Sequence, residues 1–313
     1  MIRRLSIRPI FQQQKDHQKA ILNIANIHNS VCAIVISYNG DSTISETVLA
    51  LKEQVSLVLI VDNASDIKTR SVLGNIEAEN VVVIRNRINH GVAFALNQGI
   101  DYAERHGFRW ILTMDQDSIA DEHMVSDLLS CADNFSHDLE YVSFAPIFID
   151  DKQTKESYKA SDKTCQERYT VITSGNLLKT GVFRHVGKFE DKLFIDCVDL
   201  EFCLRLRQFG YKIVRCYEAQ LFHTLGEVRK YNIFGIDVAT TFHPPERRYY
   251  IMRNHIYILK KYFLMYPLYC LRKQLGIINL IMQVIFLEGN KALNGKYLLK
   301  GFRDGICNRF GAM

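Results

Sequence analysis

Residues 110–117 have the sequence WILTMDQD, an apolar run that ends in two carboxylates with one residue between them. Three upstream runs have the same apolar character, over Val31–Ser37, Leu57–Asp62 and Val81–Arg85. The segments between the runs carry apolar residues at the three- and four-residue spacing of helices. Fully apolar strands that alternate with helices predict an α/β fold with a mostly parallel sheet covered by helices on both faces. Ligands of such sheets bind beyond the carboxyl ends of the strands.

The second half of the chain has a less regular pattern. It predicts strands over Tyr141–Phe148 and Tyr169–Ser174 and a helix over Asp199–Phe209. The polar stretch Asp150–Thr164 is expected to be a surface loop. Because its periodicity is weak, Leu225–Thr241 is expected to be a loop over the site.

The charge is unevenly distributed along the chain. The region from Arg247 to the C-terminus holds twelve Lys or Arg and two acids, a net charge of +10, although all 313 residues together carry only +5. A basic tail on a neutral-to-acidic body predicts an anionic membrane surface as a partner, and we expect no nucleic-acid partner. We divide the chain into an N-terminal extension (1–30), a main α/β domain (31–245) and a basic, amphipathic helical region (246–313).

Three features predict a cytoplasmic protein. The eight cysteines include no Cys-x-x-Cys pair, which is typical of scattered thiols in a reducing compartment rather than of disulfides or a zinc site. No apolar segment follows the basic N-terminus, so we expect no signal peptide. The longest uncharged run in the C-terminal region, Gln274–Leu287, is shorter than the roughly 20 apolar residues of a spanning helix. With the basic tail, this predicts a peripheral protein on the inner face of the cytoplasmic membrane.

Asp115 and Asp117 are the first candidate site. Two carboxylates that leave one strand provide oxygen ligands for Mg²⁺ or Mn²⁺, and such ions keep open positions for phosphate oxygens. The alternative is an acidic turn that begins the next helix.

A second candidate is Asp62, followed by Asn63. An acid at this strand end is suited to accept hydrogen bonds from a ribose or a base. The alternative is an Asx turn. The first strand is followed by Ser-Tyr-Asn-Gly-Asp at 37–41, which supports neither a dinucleotide-binding fold nor a P-loop.

The third candidate lies in the segment 194–201, FIDCVDLE, which contains three carboxylates. Acids in a first helical turn are favoured by the helix dipole, so ordinary capping is one explanation, and Glu201 is expected to pair with Arg205. The other explanation is that Asp199 faces the site as a general base that takes a proton from a sugar hydroxyl.

Taken in order, these motifs resemble the family 2 inverting glycosyltransferases. The resemblance extends over about residues 31–254. Within the family, the chain is similar to bacterial rhamnosyltransferases at Asp115-Gln116-Asp117-Ser118, at Phe194-Ile195-Asp196 and at Arg248-Tyr249-Tyr250 with Arg253-Asn254. The motifs that carry the family resemblance are residues 35–39, 61–65, 89–99, 115–117 and 174–176, Asp199 and His223.

The resemblance implies a GT-A fold with assigned roles for these residues. Asp62 would recognise the donor base, Asp115 and Asp117 would hold the metal-bound diphosphate, Asp199 would be the base, and His223 would be a further metal or phosphate contact. Val198 stands where the family commonly has an acid, which keeps Asp196 as an alternative base. The remaining donor contacts expected from the motifs are Ser37, Asn39, Asn89, Gly91, Asn97, Ser174, Arg247 and Arg253. Arg247, Arg253 and the adjacent Asn254 are expected to contact the diphosphate, with a basic helix face as the alternative.

These expectations describe one reaction. The resemblance implies inverting transfer of a sugar, L-rhamnose from dTDP-rhamnose, to a polyprenyl-diphosphate-linked saccharide in O-antigen or other surface-polysaccharide synthesis. A UDP-hexose donor and a non-catalytic membrane-surface scaffold are the alternatives. A sugar nucleotidyltransferase would need a glycine- and arginine-containing loop after the first strand. A processive synthase would need a Gln-x-x-Arg-Trp motif, but the only tryptophan is Trp110.

Overall fold

A computed structural model describes residues 30–76, 78–149, 165–223, 228–233, 236–241 and 244–313, with backbone only for the described part of 223–243. The first half alternates strands and helices as predicted. Its elements are β1 (Val31–Ser37), α1 (Thr43–Lys52), β2 (Leu57–Asp62), α2 (Ile67–Gly74), β3 (Val81–Arg85), α3 (Val92–Arg105), β4 (Trp110–Asp115), β5 (Ser118–Ala120) and α4 (Met124–Asp133).

The second half contains shorter strands and the C-terminal helices. Its elements are β6 (Tyr141–Ile149), β7 (Cys165–Arg168), β8 (Asn176–Lys179), α5 (Phe183–Val186), α6 (Val198–Gln208), β9 (Lys212–His223), β10 (Val228–Ile233), β11 (Ile236–Thr241), α7 (Pro245–Tyr262), α8 (Pro267–Phe286) and α9 (Lys291–Ile306). The expected surface loop Asp150–Thr164 lies outside the described residues.

Nine of the described strands form one mixed sheet in the order β3-β2-β1-β4-β8-β6-β9-β5, with β7 paired to β9. Strands β3, β2, β1 and β4 are mutually parallel, and β8 joins antiparallel to β4. Residues of β1 alternate between the two cores: Cys32, Ile34 and Ile36 pack under α3, α6 and α7, while Val31, Ala33 and Val35 pack under α1 and α4. The predicted α/β class is confirmed.

Two local predictions are wrong. Residues 169–175 form no strand; they bend so that the Thr173 carbonyl accepts from Thr113 Oγ1 at 2.6 Å, and Gly175 takes a φ of +75°. The predicted loop Leu225–Thr241 contains β10 and β11, an antiparallel pair in register from Val228 and Thr241 to Ile233 and Ile236. Backbone hydrogen bonding between strands stabilises this pair where side-chain periodicity is weak.

The helix α7 connects the C-terminal region to the rest of the molecule. Arg248 of α7 is fully buried and pairs with Glu288, and Tyr249 Oη donates to Asp304 at 3.1 Å. At its other end, Tyr262 donates to the buried carboxylate of Glu201 on α6 at 2.8 Å. Among the described helices, none is both long enough and apolar enough to cross a bilayer. The division at residue 245 stays a prediction.

Candidate active site

A cavity of about 490 Å³ opens beyond the carboxyl ends of β1 and β4, against the start of α6. This is the edge at which the sequence predicts ligand binding. Of the predicted site residues, Asn89, Asp115, Asp117, Asp199 and Arg247 line it. The other lining residues are Ile36, Tyr38, Asn63, Val92, Gln116, Ile172, Thr173, Phe194, Ile195, Asp196, Cys197 and Val198.

Asp115 is the last residue of β4, and Asp117 lies in the turn that follows it. Asp115 is half-buried, and its backbone N–H donates to Ser174 Oγ at 3.1 Å, while Asp117 is exposed. The side chain of Gln116, between them, bonds to the backbone of Tyr38: its Oε1 accepts from the Tyr38 N–H at 2.9 Å, and its Nε2 donates to the Tyr38 carbonyl at 3.2 Å. The pattern of two acids did not reveal this role of Gln116. Ser174 is buried and acts here through the backbone of Asp115.

The backbone brings His223 next to this turn. In the antiparallel pair of β5 and β9, His223 lies directly opposite Ser118, the residue that follows Asp117. Residues opposite each other in such a pair have α-carbons about 4.5–5.5 Å apart. The predicted trio of Asp115, Asp117 and His223 therefore belongs to one corner of the sheet.

Two buried oxygens at the ends of β1 and β2 have no hydrogen-bond partner among the described residues. Ser37 and Asp62 are opposite each other in the parallel register, and both are fully buried. Asp62 Oδ1 accepts from the Ser65 N–H at 2.9 Å, whereas Asp62 Oδ2 and Ser37 Oγ accept no hydrogen bond. Arg70 Nε lies 3.8 Å from Asp62 Oδ2. Unpaired buried oxygens are costly, which makes this edge suited to a ligand that brings donors.

Asn63 organises the loop between β3 and α3. Its amide nitrogen donates to Asn89 Oδ1 at 2.8 Å and to the Gly91 carbonyl at 3.1 Å, and its oxygen accepts from the His90 N–H at 3.1 Å. Asn89 Oδ1 also accepts from the Gly91 N–H at 2.8 Å. Asn39 has a related role on the other side, where its side-chain oxygen accepts from the Asp66 N–H at 2.8 Å. Asn63 and Asn89 line the cavity.

Asp199 lines the cavity from the start of α6. It is half-buried in the first turn of α6, and its Oδ1 accepts from the Leu200 N–H at 2.7 Å. Burial raises the pKa of Asp199 and the nearby Asp196 raises it further, while the hydrogen bond from Leu200 and the charge of Lys273 oppose the shift. A carboxylate with a raised pKa is a stronger base than an ordinary one, as proton abstraction requires.

Asp196 and Arg247 form an ion pair at the cavity wall. Arg247 Nη2 lies 3.0 Å from Asp196 Oδ1, and its Nε lies 3.2 Å from the same oxygen. Arg247 is exposed and Asp196 half-buried, so both remain accessible. Asp196 is occupied by this pairing, whereas the Asp199 carboxylate accepts only a local backbone hydrogen bond among the contacts described.

Two predicted donor contacts differ from expectation. The buried Asn97 donates to the Phe189 carbonyl at 2.8 Å and accepts from the Phe189 N–H at 2.9 Å, which fixes a loop instead of facing the cavity. The fully buried Arg253 donates to backbone carbonyls, including that of Leu193 at 2.9 Å. Both side chains are buried, where unpaired polar groups are costly. Neither lines the cavity, and the same holds for the predicted contacts Ser37, Asn39, Asp62, Gly91, Ser174 and Asn254.

Three cysteines lie together away from the cavity. The sulfur atoms of Cys131 on α4, Cys165 on β7 and Cys216 on β9 are within 4.8 Å of one another. The sequence spacing of these residues did not indicate that they meet. In the described part of the chain, Cys307 is the one exposed cysteine.

Known proteins resemble this chain in sequence and in fold. The family model "Glycosyl transferase family 2" matches residues 32–189. The chain is 28% identical over 250 residues to "dTDP-rhamnosyl transferase RfbF" of Shigella flexneri, covering 75% of this chain and 81% of that protein. It is also 28% identical over 126 residues to "Poly-beta-1,6-N-acetyl-D-glucosamine synthase" of Staphylococcus aureus, covering 39% of this chain and 29% of that protein.

The fold is similar to that of S. aureus TarS. One TarS crystal structure has a TM-score of 0.52 at 15% identity and covers 88% of this chain and 43% of TarS. A structure of TarS residues 1–349 in complex with UDP-GlcNAc has a TM-score of 0.50 at 15% identity and covers 89% of this chain and 73% of the other. The predicted GT-A fold is thereby confirmed. The family match, which spans half of the chain, leads to one conclusion: this protein is a glycosyltransferase of family 2.

Proposed function

We propose that the protein transfers L-rhamnose from dTDP-rhamnose, with inversion at the anomeric carbon, to a saccharide on a polyprenyl-diphosphate lipid. The observation that carries the reaction is that one cavity is lined by both the Asp115–Asp117 pair and Asp199. A single displacement needs a site for the leaving diphosphate and a base for the attacking hydroxyl. The rhamnosyl donor is supported by the relative whose name specifies it.

In this mechanism Asp199 takes the proton from the acceptor hydroxyl as that oxygen bonds to the anomeric carbon. The bond from this carbon to the phosphate oxygen breaks, and its electron pair leaves with the nucleoside diphosphate. One base is sufficient because no protonated leaving group is required, unlike in a glycosidase. In this proposal Arg247, which pairs with Asp196, donates to the diphosphate.

The residues at the β5 corner fit a divalent cation. Two carboxylates and a histidine are suitable ligands for Mn²⁺, and carboxylates with water suit Mg²⁺. Asp115, Asp117 and His223 would hold the ion. When bound, the ion would neutralise the charge that develops on the leaving diphosphate.

The unpaired oxygens of Ser37 and Asp62 suit the donor's nucleotide. The N3–H of a thymine or uracil ring is a donor, which Asp62 Oδ2 is able to accept. A hydrogen bond made only when the nucleotide is present removes the cost of leaving that oxygen unpaired. This supports a pyrimidine donor but leaves dTDP and UDP to be distinguished by experiment.

The decisive assay is a donor panel with purified enzyme and Mg²⁺ or Mn²⁺. The donors compared are dTDP-rhamnose, UDP-glucose, UDP-GlcNAc and GDP-mannose. Their slow hydrolysis is measured by anion-exchange chromatography, which separates the released nucleoside diphosphate from the sugar nucleotide. We expect dTDP-rhamnose to be turned over fastest, and the Asp117→Ala variant to show no metal-dependent turnover. A preference for a UDP-hexose would replace the rhamnosyl assignment, and turnover of none would support the scaffold alternative.

The C-terminal helices support a location at the membrane surface. Six exposed apolar residues of α8 recur at spacings of three and four, which places them on one helix face: Leu268, Leu271, Leu275, Ile278, Met282 and Ile285. The beginning of α8 is preceded by Leu264, which is 95% exposed. An apolar stripe of this length on a surface helix marks an interaction site.

Charge favours an anionic lipid surface over a second protein copy. Residues 267–286 contain Arg272 and Lys273 but no acid, so two α8 helices could not form complementary ion pairs. On α9, Lys291, Lys296, Lys300 and Arg303 line one shallow groove. Each cation close to an anionic membrane contributes about 1 kcal/mol to binding. Such an anchor would bring the site near a lipid-linked acceptor.

Vesicle sedimentation tests the membrane proposal. The full chain is expected to sediment with vesicles that contain anionic phospholipid and to dissociate at high salt. Leu275→Glu should weaken sedimentation, whereas Leu49→Glu, at an exposed leucine of α1, should not. Two results would overturn the proposal: failure of the wild-type chain to bind anionic vesicles, or a wild-type dimer in solution that Leu275→Glu dissociates.

A further inference from the structure

The turn that leads into α6 is held in an unfavourable backbone conformation. Phe194, Asp196 and Cys197 have φ angles of +65°, +64° and +61°, and none of them is glycine. Each such residue costs on the order of 1–3 kcal/mol and persists only where surrounding contacts impose it. We call residues 193–197 the base turn, because Asp199 follows it by two residues.

One side of the base turn is held by the start of α3. The Val92 N–H donates to the Phe194 carbonyl at 2.6 Å. Gly91, with a φ of +90°, allows this approach, since a β-carbon there would lie 2.4 Å from the Phe194 carbonyl oxygen. The first N–H groups of a helix lack partners within the helix, so this contact also satisfies the end of α3.

The other side is held by two adjacent residues of α7. The side-chain nitrogen of Asn254 donates to the carbonyls of Leu193, Ile195 and Asp196, at 2.8, 2.7 and 2.8 Å. Arg253 Nη2 donates to the Leu193 carbonyl at 2.9 Å, and its Nε donates to Asn254 Oδ1 at 3.0 Å, which fixes the orientation of the amide. Both side chains are fully buried.

Together these contacts account for every carbonyl from Leu193 to Asp196. The α7 residues supply donors to three of the four, and α3 supplies the donor to Phe194. The contacts are made by side chains of α7 with backbone atoms, so they depend on the donors of Asn254 and not on the identity of the turn's side chains.

We propose that Asn254, oriented by Arg253, is a positioning residue for catalysis: it imposes the strained base turn and thereby sets where Asp199 meets the acceptor hydroxyl. This inference rests on the proposed role of Asp199. It makes α7 part of the catalytic apparatus as well as the link to α8 and α9. A displacement of about 1 Å in a reacting group is sufficient to cost roughly 10²-fold in rate.

The test compares two buried asparagines of the C-terminal region. Asn254→Leu removes the donors to the base turn, while the matched control Asn294→Leu removes the donors to Glu288 and the Gly289 carbonyl, between α8 and α9. For Asn254→Leu we expect kcat to fall roughly 10- to 100-fold, with the KM for donor nearly unchanged. For Asn294→Leu we expect lower thermal stability with a wild-type kcat.

A second measurement follows the turn itself. Cys197 is 9% exposed, and its buried thiol, 3.1 Å from His255 Nδ1, has a raised pKa, so alkylation by iodoacetamide should be slow. Mass spectrometry should detect faster alkylation of Cys197 in Asn254→Leu and an unchanged rate in Asn294→Leu. If Asn254→Leu does not fold, Asn254→Asp serves instead, because the new carboxylate still pairs with Arg253 while it repels the carbonyls.

The outcomes separate this inference from the proposed function. If Asp199→Asn loses activity but Asn254→Leu and Asn254→Asp keep the wild-type kcat and the slow alkylation of Cys197, the positioning role is refuted. Equal losses of kcat in the Asn254 and Asn294 variants also refute it, because both would then reflect general destabilisation. If Asp199→Asn itself keeps full activity, the base assignment fails, whatever the Asn254 variants show.

Discussion

Substitution of Gly91 by alanine tests whether close packing at the start of α3 sets the base turn. At Gly91 a β-carbon would meet the Phe194 carbonyl oxygen at 2.4 Å and the Phe194 Cα at 2.7 Å. The φ of +90° and ψ of 167° lie in a region that is almost exclusive to glycine. The change therefore adds backbone strain and a steric overlap at once.

Two other glycines separate these effects. Gly107 has a φ of +75° with nothing within 4 Å of a built β-carbon, so Gly107→Ala adds strain alone, about 1–2 kcal/mol. Gly74, in α2, has neither a positive φ nor a neighbour within 4 Å, and Gly74→Ala should be neutral or stabilising by up to about 1 kcal/mol. For Gly91→Ala, strain of about 1–3 kcal/mol adds to overpacking of about 1–3 kcal/mol.

Urea unfolding followed by circular dichroism measures the stabilities, and sugar-transfer kinetics measure kcat. Gly91→Ala is expected to be the least stable of the three variants and to have a kcat reduced at least about 10-fold, since Phe194 must move. Gly107→Ala should keep the wild-type kcat. Equal stability and equal kcat in Gly91→Ala and Gly107→Ala would refute the idea that this contact positions the turn.

Three further predictions address charge. Asp196→Asn removes a like charge beside Asp199 and frees the Arg247 cation, so the pKa of Asp199 should fall. The acidic limb of the plot of kcat/KM against pH should therefore move to lower pH, and an unmoved limb would contradict this. Asp117→Ala should abolish metal-dependent donor binding in calorimetric titrations without lowering the melting temperature, because Asp117 is exposed, and wild-type affinity would argue against the metal site. Glu288→Gln leaves the buried Arg248 without its anion and should lower the unfolding free energy by about 3–5 kcal/mol in urea titrations. The control Glu53→Gln, which removes an exposed pair with Lys52, should change it by less than about 1 kcal/mol.

The parallel half of the fold was predictable because burial on both faces makes its strands uniformly apolar. Strands β1 and β2 have the bounds that their apolar runs predict, and the polar residues at their ends, Ser37 and Asp62, lie at the expected edge. The β10–β11 pair was missed because adjacent Arg229 and Lys230 interrupt the alternation of its first strand.

The site was predictable to the extent that its residues follow strands. Asp115 and Asp117 follow an apolar run, and Asp199 begins a helix, so local pattern indicates all three. Asn254 was expected as a diphosphate contact, but its side chain donates to backbone carbonyls 58–61 positions away, which leave no trace in the side-chain pattern of the turn. The same holds for Gln116, whose partner is the backbone of Tyr38.

The most direct test of the account is the single-turnover rate of sugar transfer by Asp199→Asn at saturating donor and metal. Asparagine keeps the shape of the side chain and removes the proton acceptor, so the rate should fall roughly 10²- to 10⁴-fold while the affinity for dTDP stays at the wild-type value. Asp196→Asn, measured alongside, should lose much less. A near wild-type rate for Asp199→Asn, or a larger loss for Asp196→Asn, would contradict the assignment of Asp199 as the base.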